Sequence, residues 1–458
     1  MDFVVKNARI VTSSDTFESN IGIENGKIAA LSTHLEAGGA KTFDARGKIV
    51  VPGGIDAHTH MELPVMETAS ADDFYTGTVA AACGGITSII DYVDPKSGQS
   101  ILDALAEYRR KADQKVATDY GLHMVFKGQN LADIDQIPKV VERGVPSFKL
   151  FMTYRTRGLM LDDVDCYKVM KKVAGAGGLV AVHAESNGII ENLVEANLSA
   201  GKTEAKYHAL SRPAIAEAEA VSRAARLAQT AGAPLCVVHL SSRAGMEAVE
   251  LARTNGANVF AETCPHYLVL TDQVYERADG RNFVMSPALK TAEDCASLWQ
   301  GLRAGGGVET VGSDHCPFTS AQKDLGIGDF TKIPSGVPGT ETIIPILYSE
   351  GVRKGRISIF DMVRVSSQAP ARRFGLYPSK GSIMVGSDAD FVIIDPNKKA
   401  RLTADVLHSK IDYSIYDHMT TEGYPILTVS RGETIMENGD FVGKRGLGKF
   451  IPRKAAGQ

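Results

Sequence analysis

The chain has 458 residues, 44% of them hydrophobic and 23% charged, and a formal net charge of −4. It is longer than one average domain and long enough to bury a large core beside a smaller satellite unit. An acidic balance without a basic stripe argues against a nucleic-acid binder, and no apolar run reaches the ~20 residues of a membrane-spanning helix.

The opening stretch, MDFVVKNARIVTSSD, lacks the basic-then-apolar pattern of an export signal. Residues 1–52 read as short strands broken by turns. Positions 4–11 are rich in β-branched residues, and Asn25-Gly26 separates Ile21-Gly22-Ile23 from Ile28 as a hairpin turn does. From 53 to 379, short apolar runs alternate with Ala-, Leu-, Glu- and Lys-rich stretches of helical character. Eight runs read as strands: 54–58, 87–91, 121–125, 147–151, 179–183, 235–239, 258–262 and 310–314. Between two of them, Arg212-Pro213 opens a helix predicted over 214–228. Eight strands alternating with helices is the pattern of an α/β protein built as a (β/α)8 TIM barrel. After 380 the β texture returns at 391–394, 426–429 and 433–436, followed by a second hairpin signal, Asn438-Gly439. The expectation is a barrel over 53–379 with a small β-sandwich domain assembled from 1–52 and 380–458. The basic tail from Gly446 onward reads as an arm. Six cysteines (Cys83, Cys166, Cys236, Cys264, Cys295, Cys316) show no C-x-x-C spacing, and several lie in apolar runs. Reduced buried thiols of this kind fit a soluble cytoplasmic protein.

Polar residues close these runs. His58 and His60 follow the first, Lys149 lies in the fourth, and His183, His239 and Asp314 end the fifth, sixth and eighth. In a barrel, catalytic groups stand at the C-terminal ends of strands. Each residue also has an ordinary reading. A histidine after a strand is commonly a satisfied core residue, a lysine in an apolar strand snorkels, and Ser313-Asp314-His315 has the form of a helix N-cap. Their joint occurrence in barrel order is far harder to assign to chance. Imidazole nitrogen and carboxylate oxygen suit zinc and similar divalent ions. Four histidines and one aspartate are too many for one tetrahedral ion with an open position, and suit two ions that share a bridge. Lys149 supplies that bridge if its amine takes up CO2 as a carbamate, because burial favours the neutral, reactive amine. A hydroxide held between ions ~3.5–4 Å apart is then available to attack an amide carbonyl near neutral pH.

At these residues the sequence resembles the dihydropyrimidinase and hydantoinase family of cyclic amidohydrolases. The likeness is carried by PGGIDAHTH (52–60), AAACGGITS (80–88), SFKLFMTY (147–154), VHAE (182–185), YHALSRP (207–213), VHLS (238–241), ETCPHYL (262–268), GSDHC (312–316) and IPSGVPG (333–339). It spans nearly the whole chain. The resemblance implies a β-sandwich plus barrel, a homotetramer or homodimer, and two divalent metal ions per subunit, zinc being the common metal. By carry-over, His58, His60 and Asp314 hold one ion, His183 and His239 the other, and Lys149 bridges them as N6-carboxylysine. Asp314 is then the general base and Tyr154 the donor to the oxyanion. Ser286 and Ser335 match positions that grip the imide edge of the substrate. Ser335 departs from the family's usual Asn, which bears on substrate preference. The implied reaction is hydrolytic opening of dihydropyrimidines or 5-substituted hydantoins to N-carbamoyl amino acids. His123, His208, His266 and His315 have no ligand role by this likeness and read as structural.

Four other readings compete. Allantoinase shares the metal constellation, but SFKLFMTY and YHALSRP favour hydantoinase-type sequences. Dihydroorotase places an Arg two residues after the His-x-His, where this chain has Glu62. A single-metal deaminase does not need Lys149. The non-catalytic collapsin response mediator proteins lack several ligands that are all present here. The apolar segment Met61–Met66 with Leu159 and Met160 is expected to wall the barrel mouth against a ring substituent, with Arg155 and Arg157 turned to solvent.

Overall fold

The computed structural model describes residues 1–455. All eight predicted strands form one parallel sheet: Gly54–Thr59, Ile86–Val93, Asp119–Val125, Ser147–Phe151, Leu179–His183, Leu235–Val237, Val259–Thr263 and Val308–Val311. Their order in the sheet follows their order in the chain, as successive β-α units require. The first and eighth strands are not joined by a ladder. Contacts at and beyond their C-terminal ends close the seam: Thr59 bridges His315, and the His60 amide donates to the His315 carbonyl at 2.9 Å. The amide of Ser313 adds a bond to the Asp56 carboxylate at 2.9 Å. The result is a nearly closed barrel.

The pleat decides which residues enter it. Along Ser147–Phe151, Phe148 and Leu150 join the apolar layer under the helices, while Lys149 and Phe151 face a cavity at the barrel mouth. The predicted helix runs over Ala214–Ala231, three residues further than expected, and stops at Gly232 with φ 70°. Its buried face is Ala216, Ala220, Val221, Ala224, Ala225 and Ala228, a stripe with helical period.

The two chain ends are woven into a second, nine-stranded sheet. Ile49–Pro52 pairs antiparallel with Phe391–Arg401, so an N-terminal strand sits against a C-terminal one. The sheet has its own apolar cluster, including Val5, Ile21, Ile23, Val50, Phe391, Ile393 and Val429. Both Asn-Gly signals are hairpin turns, with φ of 53° and 75° at Asn25-Gly26 and of 56° and 109° at Asn438-Gly439. A buried ion cluster links the sheet to the barrel. The Lys380 ammonium lies 2.6 Å from Asp119, 2.6 Å from Asp390 and 3.0 Å from Asp388, and is 1% exposed. Burial alone lowers a lysine's pKa, but these carboxylates raise Lys380 above its ordinary value.

Over its described residues the basic tail is not a free arm. Lys449 donates its amide to Asp119 at 2.8 Å, and Arg453 and Lys454 bond to Gly144 and Gly375 at 3.0 and 3.1 Å. The Arg453 side chain is buried, donating to the Leu122 carbonyl and the Ser147 hydroxyl. All six cysteines are free thiols, five of them buried. No helix among the described residues is long and apolar enough to cross a membrane.

Candidate active site

His58, His60, Lys149, Tyr154, His183, His239, Ser286, Asp314 and Ser335 all line a single cavity of about 530 Å³ at the C-terminal ends of the strands. Three of them sit on left-handed backbone, with φ of 67° at Tyr154, 43° at His239 and 49° at Asp314. That conformation is uncommon for residues with a side chain and clusters at functional sites. Here it occurs just past strand ends, where the chain turns and these side chains line the mouth.

The geometry at each ring is specific. His58 is fully buried, with Nδ1 2.6 Å from Glu262 Oε1 and Nε2 3.2 Å from Asp314 Oδ1. His60 Nε2 lies 3.0 Å from the same Asp314 oxygen. His183 Nε2 is held 2.6 Å from Glu185 Oε2, and Arg212 pairs with that carboxylate. The His183 and His239 ring centroids are 4.5 Å apart, and Tyr154 lies 5.1 Å from His183. Lys149 Nζ is 3.5 Å from His239 Nε2 and has no carboxylate within ion-pair distance among the described residues. Gly312 makes this packing possible: a Cβ there would lie 2.7 Å from the Glu262 carboxyl carbon and 2.9 Å from His58 Cβ.

The electrostatics follow from burial and from these pairs. Burial lowers the pKa of His60, His183 and His239, which favours the neutral imidazole that a metal ligand requires. At His58 burial acts the same way, but Asp314 and Glu262 outweigh it and raise the ring to about 9. Burial raises Asp314, while His58 and His60 pull it well below the ordinary carboxylate range. Burial lowers Lys149 to about 8. Burial also raises the Tyr154 phenol, keeping it a donor.

A metal fits this donor set. One ligand atom each from His58, His239 and Asp314 lies within 4.8 Å of the others, and His60 Nδ1 and His239 Nδ1 are buried with no hydrogen-bond partner. Two other clusters among the described residues have different occupants. Lys380 fills the Asp119-Asp388-Asp390 group, and at Cys83-Glu341-His408 the glutamate already accepts from the His408 ring at 2.8 Å and its amide at 2.7 Å.

Sequence reasoning missed the carboxylates that orient the rings, Glu262 and Glu185, and the Arg212 that holds Glu185. The available signal was a lone carboxylate at the end of the seventh strand and another two residues after His183. It also missed the Lys127–Asp94 ion pair, 2.6 Å long, which borders the cavity. The expected wall is only part of what the structure shows. Leu63, Pro64, Val65, Met66 and Leu159 line the cavity, but Met61 is buried in the core and Glu62 turns away to pair with Lys115. Met160 is not among the lining residues, and Arg155 turns to Glu191. Arg157 is exposed, yet it borders the cavity rim. His123, His208, His266 and His315 lie outside this cavity. His315 bonds to Asp72 at 3.0 Å, His123 to Ser147 at 2.6 Å and His208 to the Met285 carbonyl at 2.8 Å.

The amidohydrolase family profile matches residues 49–435. A D-hydantoinase of Geobacillus stearothermophilus is 41% identical over 461 aligned positions, covering 100% of this chain and 98% of the relative. A D-phenylhydantoinase of Escherichia coli O1:K1 is 41% identical over 99% of this chain and 98% of its own length. The crystal structure of a dihydropyrimidinase from Brevibacillus agri NCHU1002 superposes with a TM-score of 0.97 at 40% identity, covering 100% of both chains. With a barrel mouth built from these residues and full-length likeness of this degree, the chain belongs to the amidohydrolase family, among its hydantoinases and dihydropyrimidinases.

Proposed function

We propose that this enzyme opens the ring of dihydropyrimidines and 5-substituted hydantoins, producing N-carbamoyl amino acids. The observation that carries the reading is the convergence of four histidines, a carboxylate-free buried lysine, an aspartate and a tyrosine on one cavity with an apolar wall. His58, His60 and Asp314 would hold one divalent ion and His183 and His239 the other, with Lys149 bridging as its carbamate. When bound, such a pair, zinc being the expected metal, supplies Lewis acidity toward the scissile carbonyl and lowers the pKa of water.

The chain's own groups do the rest. Asp314 takes the proton of the attacking water and returns it to the leaving ring nitrogen. Tyr154, kept protonated by its burial, donates to the oxygen that gains charge in the tetrahedral intermediate. The peptide groups of Ser286 and Ser335, whose hydroxyls lie 2.9 Å apart, hold the imide edge of the ring. Leu63, Pro64, Val65, Met66, Phe151 and Leu159 receive the 5-substituent. The substituent tolerance is supported by a relative named for phenylhydantoin. We propose a homotetramer or homodimer as the assembly, and the free thiols fit a reducing, cytoplasmic setting.

The test is a substrate panel of dihydrouracil, hydantoin, both enantiomers of 5-phenylhydantoin, allantoin and dihydroorotate, with metal content measured on the same preparation. Turnover of hydantoins and dihydrouracil well above allantoin and dihydroorotate is expected. A preference for allantoin would overturn the substrate assignment.

A further inference from the structure

Lys323 closes the short helix Ser320–Lys323, is 0% exposed, and has no carboxylate within ion-pair distance among the described residues. Its Nζ lies 2.7 Å from each of three backbone carbonyls, those of Val284, Pro334 and Gly336. A neutral amine has two N–H groups, so three acceptors use every hydrogen of the ammonium form. The face of the Phe318 ring lies 5.5 Å away on another side. Burial pushes Lys323 down to about 7, opposed by its interaction with Cys316, and hydrogen bonds to the charged form favour that form.

The three carbonyls have something in common. Val284 stands two residues before Ser286, and Pro334 and Gly336 flank Ser335. Both segments are irregular, so neither is held by a helix or a sheet ladder. Apart from Lys323, the Gly336 amide joins them by donating to the Val284 carbonyl at 3.0 Å, as do the two serine hydroxyls. Gly336 is itself fixed, with φ 150° and a hypothetical Cβ only 2.4 Å from the Cys316 carbonyl. An apolar side chain of similar volume would fill the space without the cost of burying a charge. What it would not do is aim three carbonyls.

We infer that Lys323 is a positioning residue for substrate binding: its ammonium fixes segments 284–286 and 334–336 so that the Ser286 and Ser335 peptide groups meet the imide edge in one rigid arrangement. The inference rests on the role proposed above for those two serines.

Lys323→Met keeps the length and removes the donors. In the metal-loaded enzyme we expect KM for hydantoin to rise at least ~10-fold with kcat changed by less than ~3-fold and metal content equal to wild type. Lys323→Gln retains two N–H groups and should fall between the two, and it carries the same test if the Met variant does not fold. A variant with a lowered Tm but wild-type KM would show Lys323 to be merely structural and overturn the inference. Failure of the wild-type enzyme to open hydantoin would instead overturn the proposed function, so the two failures are separable.

Discussion

At His58 two carboxylates engage one imidazole. Glu262 fixes Nδ1 at 2.6 Å, and Asp314 approaches Nε2 from the cavity side. Glu262→Gln keeps the shape and removes the charge that orients the ring and makes it more basic. Metal affinity should drop by about 10–100-fold, read by competition with a chelator. Unchanged affinity would show Glu262 to be a passive neighbour. Lys149→Ala removes the proposed bridge, so activity and bound metal should nearly vanish, and short carboxylic acids with added metal should restore part of both. A fully active variant would contradict the bridge. Tyr154→Phe deletes one hydroxyl donor, and kcat should fall about 10²–10³-fold. A rise in KM alone would leave Tyr154 as lining only. Legibility differed among these residues for a physical reason. Lys149 and His183 were readable because a polar residue in an apolar strand stands out against its own neighbours. Glu262 was not readable as a partner of His58, because 204 residues separate them and only barrel closure brings them together.

At the scale of elements, strands were legible and connections were not. Short apolar runs located all eight barrel strands, and both Asn-Gly turns lay where the chain needs positive φ. The loop after the first strand carries no comparable signal. Its residues divide between core and cavity according to how the chain turns at Glu62 and Met66, both on left-handed backbone. That is why Met61 was assigned to the wall and lies in the core. The wall that remains makes a specific prediction. Leu63→Asp or Leu159→Lys places charge on an apolar lining, so kcat/KM for 5-phenylhydantoin should fall far more than for hydantoin. Equal losses would show that these residues do not form the substituent pocket.

Over the whole molecule, the barrel and the sheet of chain ends depend on one another through Lys380. Lys380→Met leaves Asp119, Asp388 and Asp390 without their shared cation, a loss of about 3–5 kcal/mol by the usual cost of breaking a buried pair. The sign of its pH dependence follows. Asp119 keeps Arg431 and Asp388 keeps Lys27, but Asp390 loses its ion-pair partner. A buried carboxylate left so binds protons more tightly in the folded than in the unfolded state, and the deficit is full at neutral pH. It narrows as pH falls toward the unfolded carboxylate pKa of about 4, where protonation removes the unpaired charge. Denaturant titrations of both proteins at neutral and acid pH measure it, and a deficit that widens in acid would contradict the account. The tail shows what texture alone conveys poorly: a basic segment reads as solvated, yet Arg453 is buried because backbone carbonyls and a serine await it at the barrel floor. The central claim concerns the reaction itself, and mass spectrometry of the product addresses it most directly. Metal-loaded enzyme incubated with hydantoin or dihydrouracil should yield a product heavier by one water, the open-chain N-carbamoyl amino acid, and the Lys149→Ala enzyme should not. Intact substrate after prolonged incubation with metal-replete wild-type enzyme would contradict the account.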